Sequence, residues 1–313
     1  MLCWTLLAGV VAITAPDTSV LHRLVVAPAE TMAVTVQGVG RNIVIVPGML
    51  GGAYGFRHVS AALVERGSRV IVVEPLGTGR SSRPKEADYS FTAQASRVAM
   101  VLDSLGIRSA VLLVHALGAP IGYRLAIARA DLTLGIVSIN GGPADRLDYP
   151  GVNTALRLAP VLKLFGIKGH ARKKLVAGLR ETSYDPAWIN EEVIEAYGAG
   201  YAADLWGTLG TLRRMSESDD PEPLRPNLHR LDIPVLLLRS AELEKAIPEE
   251  DVEALRVGVA DFTVESVSGA GQYIHEERPD AVVDAVSTMM AGTFNSWILA
   301  LSAANRPGRL PRW

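Results

Sequence analysis

The chain has 313 residues, of which 49% are hydrophobic and 20% are charged, so it is long enough to bury a sizeable apolar core. Its formal net charge of −2 excludes the strongly basic surface that nucleic-acid binding requires. The single cysteine, Cys3, excludes an intrachain disulfide framework, and the six histidines show no metal-binding spacing. We therefore expect no metal and no other cofactor.

The N-terminal segment is mostly apolar from Leu2 to Ala15 and ends at Pro16. It is shorter than the roughly 20 residues that a membrane-spanning helix needs. It is similar to the hydrophobic part of a signal peptide, but no Lys or Arg precedes it. We interpret residues 1–22 as an apolar lead-in to the fold and expect a cytoplasmic protein. Export or membrane contact through residues 1–16 stays open as an alternative.

Two short valine-rich runs, 24–26 and 32–36, lie on either side of Pro28 and predict an antiparallel hairpin at a sheet edge. Continuous apolar runs follow, as expected for parallel strands that are covered on both faces. They lie at 43–46, 70–73, 111–114 and 134–139. Helical patterns separate them, at about 57–66, 92–105 and 121–130.

This alternation stops near Gly141, and no buried-strand pattern occurs between Pro143 and Pro226. Strand patterns return at 235–238 and 262–267, and a helix is predicted from Pro279 to Met290. We therefore predict an α/β fold, with a doubly wound, mostly parallel sheet and a helical lid inserted between two strands. The predicted parts are a core (23–142 and 227–292), a lid (143–226), and a short helix near 297–301 with a loose tail (293–313).

A strand, a tight turn and a helix are predicted around Val114-His115-Ala116-Leu117-Gly118. This is the setting of a nucleophile elbow, G-x-S-x-G, in which a strained turn raises a serine into a pocket. The serine position here is Ala116, and a methyl group cannot act as a nucleophile. The sequence thus combines a catalytic turn with a side chain that has no catalytic chemistry.

Four motifs in series resemble those of the α/β-hydrolase superfamily, in particular its capped members (epoxide hydrolases, carboxylesterases, C–C hydrolases and cofactor-free haloperoxidases). The resemblance extends from about Leu24 to Met290. The motifs are Val46-Pro47-Gly48-Met49, Glu74-Pro75-Leu76-Gly77-Thr78-Gly79-Arg80-Ser81, Val114-His115-Ala116-Leu117-Gly118, and the run from Gly269 to Pro279. The resemblance implies the fold predicted above, with Pro47 in place of a His and Glu74 in place of an Asp.

Hydrolysis in this family needs a nucleophile, a His base and an acid that orients the base. The resemblance puts Ala116 at the nucleophile position and Gln272 at the base position, so both are vacant. The neutral amide of Gln272 forms hydrogen bonds but cannot shuttle a proton near pH 7. The acid position falls on Glu244, with Glu242 as a second choice.

The resemblance also assigns the oxyanion hole to the backbone N–H groups of Leu117 and Met49. These donors do not depend on the side chains at positions 116 and 272, so a carbonyl or enolate oxygen could still bind there. His115 and Tyr273 are expected beside the same pocket, either in contact with a ligand or packed against the core. Asn140, which ends a strand, is either a polar group of the pocket or a turn residue.

Three functions stay open. The first is binding of a carbonyl-bearing or apolar small molecule with non-hydrolytic chemistry of the cyclase, lyase or isomerase type, in which Glu244 acts as general base. The second is hydrolysis of a small ester, lactone or epoxide by an unconventional catalytic set, for which Ser81, Ser82 and Ser240 are the serines on suitable loops. The third is a pure binding protein, or pseudoenzyme. In each case the partner is a small molecule and no nucleic acid is expected, while the oligomeric state stays undetermined.

Overall fold

The computed structural model describes residues 19–147, 168–243 and 246–304, and its centre is one eight-stranded sheet. The strands are Val20–Ala27 (β1), Glu30–Gln37 (β2), Arg41–Val46 (β3), Ser68–Glu74 (β4), Ala110–His115 (β5), Thr133–Ile139 (β6), Val235–Ser240 (β7) and Phe262–Val267 (β8). Their spatial order is β1-β2-β4-β3-β5-β6-β7-β8. β2 is antiparallel to both β1 and β4, and all other neighbours are parallel. The predicted edge hairpin and the mostly parallel sheet are confirmed.

Helices cover both faces of this sheet. They are Gly52–Gly55 (α1), Arg57–Glu65 (α2), Phe91–Ser104 (α3), Gly118–Ala128 (α4), Lys168–Glu181 (α5), Glu191–Ala203 (α6), Leu205–Glu217 (α7), Glu249–Gly258 (α8), Ile274–Glu277 (α9) and Pro279–Ala304 (α10). Apolar side chains of α3, α4 and α8 pack in one core cluster, and those of α2 and α10 pack in another. Because both faces are covered, every residue of β5 is buried.

A helical insertion lies between β6 and β7, and we use this name for residues 168–217 (α5, α6 and α7). Side-chain caps begin two of its helices: Asn190 accepts from the N–H of Val193 at 3.0 Å, and Asp204 accepts from the N–H of Gly207 at 2.8 Å. Since β6 and β7 are paired neighbours, the chain leaves the sheet and returns to the adjacent position. The predicted insertion of helices between two strands is confirmed.

Three of the longer elements differ from the prediction. Residues 20–22, expected in the N-terminal lead-in, belong to β1. The helix α8 between β7 and β8 was not predicted. The separate helix expected near 297–301 is part of α10, which continues through Ala304 because no proline interrupts the chain after Met290.

Residues 1–18 and the tail 305–313 lie outside the described residues, and the predictions for them are not tested. No helix within the described ranges is both long enough and apolar enough to cross a bilayer.

Candidate functional site

The elbow keeps the backbone of a nucleophile turn. Ala116 follows β5 with a positive φ of 47°, which costs energy for any residue that carries a Cβ. Its N–H donates to the carbonyl oxygen of Ile139 at 3.2 Å, and α4 begins two residues later. A Cβ at Gly118 would overlap the carbonyl of Val46, so the start of α4 lies directly against the end of β3. The strained turn is therefore present although position 116 has no nucleophile.

Two backbone N–H donors adjoin this turn. Leu117 is the residue before α4, and Met49 lies in the loop that follows β3. The two segments are in contact, because a Cβ at Gly118 would also approach the carbonyl oxygen of Pro47 within 3.1 Å. No acceptor among the described residues is hydrogen-bonded to the N–H of Met49 or Leu117. Leu117 lines the pocket described below and Met49 does not, and an oxyanion hole formed by the two donors stays a prediction.

Glu74 holds the loop that carries Met49. One carboxylate oxygen accepts from the N–H of Ala53 at 3.1 Å, and the other accepts from the N–H of Arg80 at 2.5 Å. Gly52 and Gly79 lie against the same carboxylate, and neither position has space for a Cβ. Glu74, which stands where the family motif has Asp, thus joins the β3 loop to the β4 loop.

A small pocket opens beside the elbow, with a volume of about 160 Å³. Ligand pockets are typically about 300–1,000 Å³, so the described part suits only a small molecule. The lining residues are Phe91, Ala116, Leu117, Pro120, Asn140, Gly141, Gly142, Ala144, Arg146, Leu147, Ala246, Ile247 and Pro248. This lining is mostly apolar and contains no carboxylate and no histidine. Throughout the described ranges, no group of three His, Cys, Asp or Glu side chains is placed to hold a metal ion.

The backbone of Gln272 is held from three sides. Its N–H donates to the carbonyl oxygen of Thr182 at 2.7 Å, at the end of α5. Its own carbonyl oxygen accepts from Nδ2 of Asn140 and lies 3.2 Å from Nε2 of His115. The side chain at position 272 therefore projects from a fixed backbone, even though it is an amide and not an imidazole.

His115 is buried beneath the elbow. Burial lowers its pKa from 6.5 to about 4, and the contact with the Gln272 carbonyl opposes this shift only in part. The ring is therefore neutral at pH 7, and its proton lies on Nε2, which faces that carbonyl. The ring centroid of His275 lies 4.6 Å from that of His115, and the His275 ring stacks on Phe56. Burial also lowers the pKa of His275. His115 does not line the described pocket, and its contact with a ligand stays a prediction.

Tyr273 also lies away from the pocket wall. Its ring packs 5.4 Å from Trp188 and 5.9 Å from Tyr197, both in the helical insertion, and it is 8% exposed. Tyr273 packs against the insertion, as one of the two alternatives expects, and its contact with a ligand stays a prediction. An aromatic residue in a loop turns toward the apolar surface that covers it, which here is supplied by the insertion.

The acid position cannot be placed, since Glu244 lies outside the described residues. Glu242, the second choice, is exposed, and its carboxylate accepts from the N–H of Gly269 at 3.2 Å. The three candidate serines donate to backbone carbonyls: Ser81 to Glu74, Ser82 to Ala29 and Ser240 to Ala270.

Asn140 is the site residue whose importance the sequence does not reveal. It is 3% exposed, has a positive φ of 44°, and lines the pocket beside Ala116. The turn expected from the sequence is present, and the side chain in addition contacts Ser240 and the Gln272 loop. Its place at the carboxyl end of β6 is the one sequence signal that could have indicated this, since site residues of such sheets gather at that edge.

Comparisons with known proteins agree with this architecture. Residues 41–185 match the family model described as alpha/beta hydrolase fold. The chain is 23% identical over 254 residues to the uncharacterized hydrolase YugF of Bacillus subtilis, covering 80% of this chain and 90% of that protein. It is 29% identical over 248 residues to a putative carbamate hydrolase RutD of Azorhizobium caulinodans, covering 78% and 89%.

Among solved structures, the chain is similar to an epoxide hydrolase from an endophytic Streptomyces. The TM-score is 0.71 at 20% identity, and the match covers 88% of this chain and 96% of that one. The chain has the α/β-hydrolase fold, as its four motifs predict. Both relatives are named as hydrolases.

Proposed function

We propose that this protein binds a small carbonyl-bearing or apolar molecule beside Ala116, and that it does not cleave this molecule by a serine triad. One observation carries the proposal. The methyl group of Ala116 occupies a strained turn on the wall of the pocket, where a hydrolase of this fold has its nucleophile. The backbone of the site is retained, but the atom that would attack the substrate is missing.

The base position supports the same proposal independently. Gln272 lies on a different loop from Ala116, and its amide cannot take a proton from a hydroxyl or from water near pH 7. The free N–H groups of Met49 and Leu117 would hold a ligand oxygen, which suits a carbonyl compound. The site would then carry out non-hydrolytic chemistry of the cyclase, lyase or isomerase type, or binding alone.

The names of the relatives favour a second candidate, which is hydrolysis of a small ester, lactone, epoxide or carbamate by another catalytic set. The contacts of the candidate serines count against it. Ser81 and Ser240 are buried and donate to backbone carbonyls at 2.7 and 2.6 Å. Either would first have to break a buried hydrogen bond, which leaves a carbonyl unpaired. We therefore place non-hydrolytic binding first.

A fluorophosphonate probe separates the two candidates, because it labels only an activated serine. We expect no labelling of the native chain. The variant Ala116→Ser with Gln272→His should be labelled and should hydrolyse p-nitrophenyl acetate, and Ala116→Ser alone should react far more slowly. Stoichiometric labelling of the native chain at any serine would establish the hydrolase candidate instead.

A further experiment distinguishes an enzyme from a binding protein. Native mass spectrometry of the purified protein would identify a small molecule that is retained in the pocket. With that molecule as the probe, Glu244→Gln should abolish turnover if the carboxylate is a general base. A binding protein would show no turnover in either form, and its affinity would change by less than about tenfold, which corresponds to 1.4 kcal/mol.

A further inference from the structure

The side chain of Asn140 joins three segments at the carboxyl edge of the sheet. Its Oδ1 accepts from the N–H of Ser240 at 2.9 Å, at the end of β7. Its Nδ2 donates to the carbonyl oxygens of Gly271 and Gln272, at 3.1 and 3.2 Å. These partners fix the orientation of the amide, because the oxygen must face the N–H and the nitrogen must face the two carbonyls.

The two loops that Asn140 joins are the ones on which the base and the acid of the family stand. We call residues 241–243, which lead to the family's acid position, the acid loop and residues 269–273 the base loop. Ser240 connects them a second time: its hydroxyl donates to the Ala270 carbonyl at 2.6 Å and accepts from the N–H groups of Glu242 and Leu243, at 3.1 and 2.8 Å. The start of the acid loop is thereby tied to the base loop through buried contacts.

Few side chains could replace Asn140. The position has a left-handed backbone, which Asn and Gly adopt more readily than other residues. The three contacts need one acceptor and two donated hydrogens, which a carboxamide supplies. Aspartate has the same shape but would set a carboxylate oxygen against two carbonyl oxygens. Glycine would fit the backbone but would lose all three contacts.

We propose that Asn140 is a positioning residue, which sets the placement of the base loop relative to the acid loop and the elbow. It acts through the Gln272 carbonyl, which His115 also contacts. Since Asn140 also lines the pocket, the loops are fixed from within the site itself. This role concerns the geometry of the site and does not require Asn140 to react.

The first test introduces single substitutions into the otherwise native chain and does not depend on any activity. Asn140→Gly should accelerate hydrogen exchange by at least about tenfold at the N–H groups of Leu243 and Gln272, which donate to Ser240 and Thr182 and not to Asn140. Ala29→Gly is the matched control, because Ala29 also has a positive φ (64°) but lies in the turn between β1 and β2. Exchange within twofold of the native rate at both amides would overturn the proposal. If Asn140→Gly does not fold, the isosteric Asn140→Asp takes its place in the same measurement.

The second test rests on the proposed function, because it uses the restored variant Ala116→Ser with Gln272→His. Adding Asn140→Gly should lower kcat for p-nitrophenyl acetate at least about tenfold, with KM within about threefold, since misplaced catalytic groups cost rate more than binding. The acid limb of the pH–rate profile should also move to lower pH. A carboxylate near the new imidazole raises its pKa, and loss of that neighbour lowers it.

The two tests fail in distinguishable ways. An inactive but folded restored variant would mean that the oxyanion hole or the acid is also lost, which removes the carbonyl-binding part of the proposed function, and the exchange measurement would still decide the role of Asn140. An active restored variant whose kcat and acid limb are unchanged by Asn140→Gly would overturn the positioning role alone. A uniform loss of activity with an unmoved acid limb would also overturn it, because that result indicates general destabilisation.

Discussion

The carboxyl edge of the sheet and the helical insertion are held in place by different forces. At the edge, loops are fixed by buried hydrogen bonds and by glycines that leave no space for a Cβ, as at Gly118. The insertion has helix caps and exposed ion pairs such as Arg213–Glu217, and it is joined to the core by apolar packing, through the cluster around Tyr197 and through Met215. Exposed pairs contribute little to stability, whereas buried contacts tolerate little change. The edge therefore keeps its geometry even where the side chains at 116 and 272 have changed.

The two regions meet at a buried polar contact. Glu276 of α9 accepts from the hydroxyl of Tyr197 at 2.8 Å and from Arg57 at 2.7 Å. Glu277 accepts from the N–H groups of Tyr184 and Asp185, both at 2.8 Å. The insertion is thus attached to the helix that follows the base loop. Buried hydrogen bonds hold this junction in place, as they hold the loops at the edge.

The largest expected effect is at the elbow. Gly118→Val should lower the free energy of unfolding by more than about 3 kcal/mol, because a Cβ there overlaps backbone atoms of Val46. Gly178→Ala, in α5, is the control from the insertion: nothing lies within 4 Å of its Cβ position, and we expect a gain of about 0.5–1 kcal/mol. Urea denaturation measures both. Similar changes in unfolding free energy at the two glycines would contradict the proposed difference between the edge and the insertion.

Acid should destabilise the edge through His115. Its folded pKa of about 4 lies below the usual 6.5, so the unfolded chain takes up a proton first as pH falls. The stability that it contributes is complete above pH 6.5 and is lost between 6.5 and 4, by about 3 kcal/mol. His115→Phe should lack this part of the pH dependence. Unfolding free energies measured across that range test it, and parallel curves for the two proteins would refute it.

A smaller effect is expected at the junction. Arg57→Met leaves the carboxylate of Glu276 buried without its cation, and the side chain of Glu276 is 1% exposed while that of Arg57 is 28% exposed. We expect a loss of about 2 kcal/mol, below the value for a fully buried pair. Arg213→Met breaks an exposed pair in the insertion and should cost at most about 0.5 kcal/mol. Equal losses would show that burial does not separate the two regions.

The smallest effect is a gain. Ala116→Gly should raise the free energy of unfolding by about 1 kcal/mol, because glycine adopts the positive φ of 47° without strain. Ala29→Gly, with φ 64° in the edge hairpin, should give a similar gain by the same cause. Thermal unfolding of both variants provides the measurement. A gain at Ala29 and none at Ala116 would mean that the pocket wall depends on the methyl group.

Much of the sheet could be predicted from the sequence because its buried strands are continuous apolar runs, as at 43–46 and 111–114. The motifs likewise located Ala116 and Gln272. The role of Asn140 could not be predicted, because its partners Ser240 and Gly271 are 100 and 131 residues away in the chain. The orientation of the Tyr273 side chain could not be predicted either, because it depends on packing against aromatic residues of the insertion.

The carboxylate of Glu74 limits which substitutions the neighbouring positions 52 and 79 can accept. Its side chain is one methylene longer than that of the family's aspartate, and its carboxylate fills the space beside Gly52 and Gly79. These three positions can vary only together: a larger residue at 52 or 79 requires a shorter one at 74, and a shorter one at 74 abandons the bonds to Ala53 and Arg80. A library that randomises them independently would consist mostly of members whose β3 loop has lost its support.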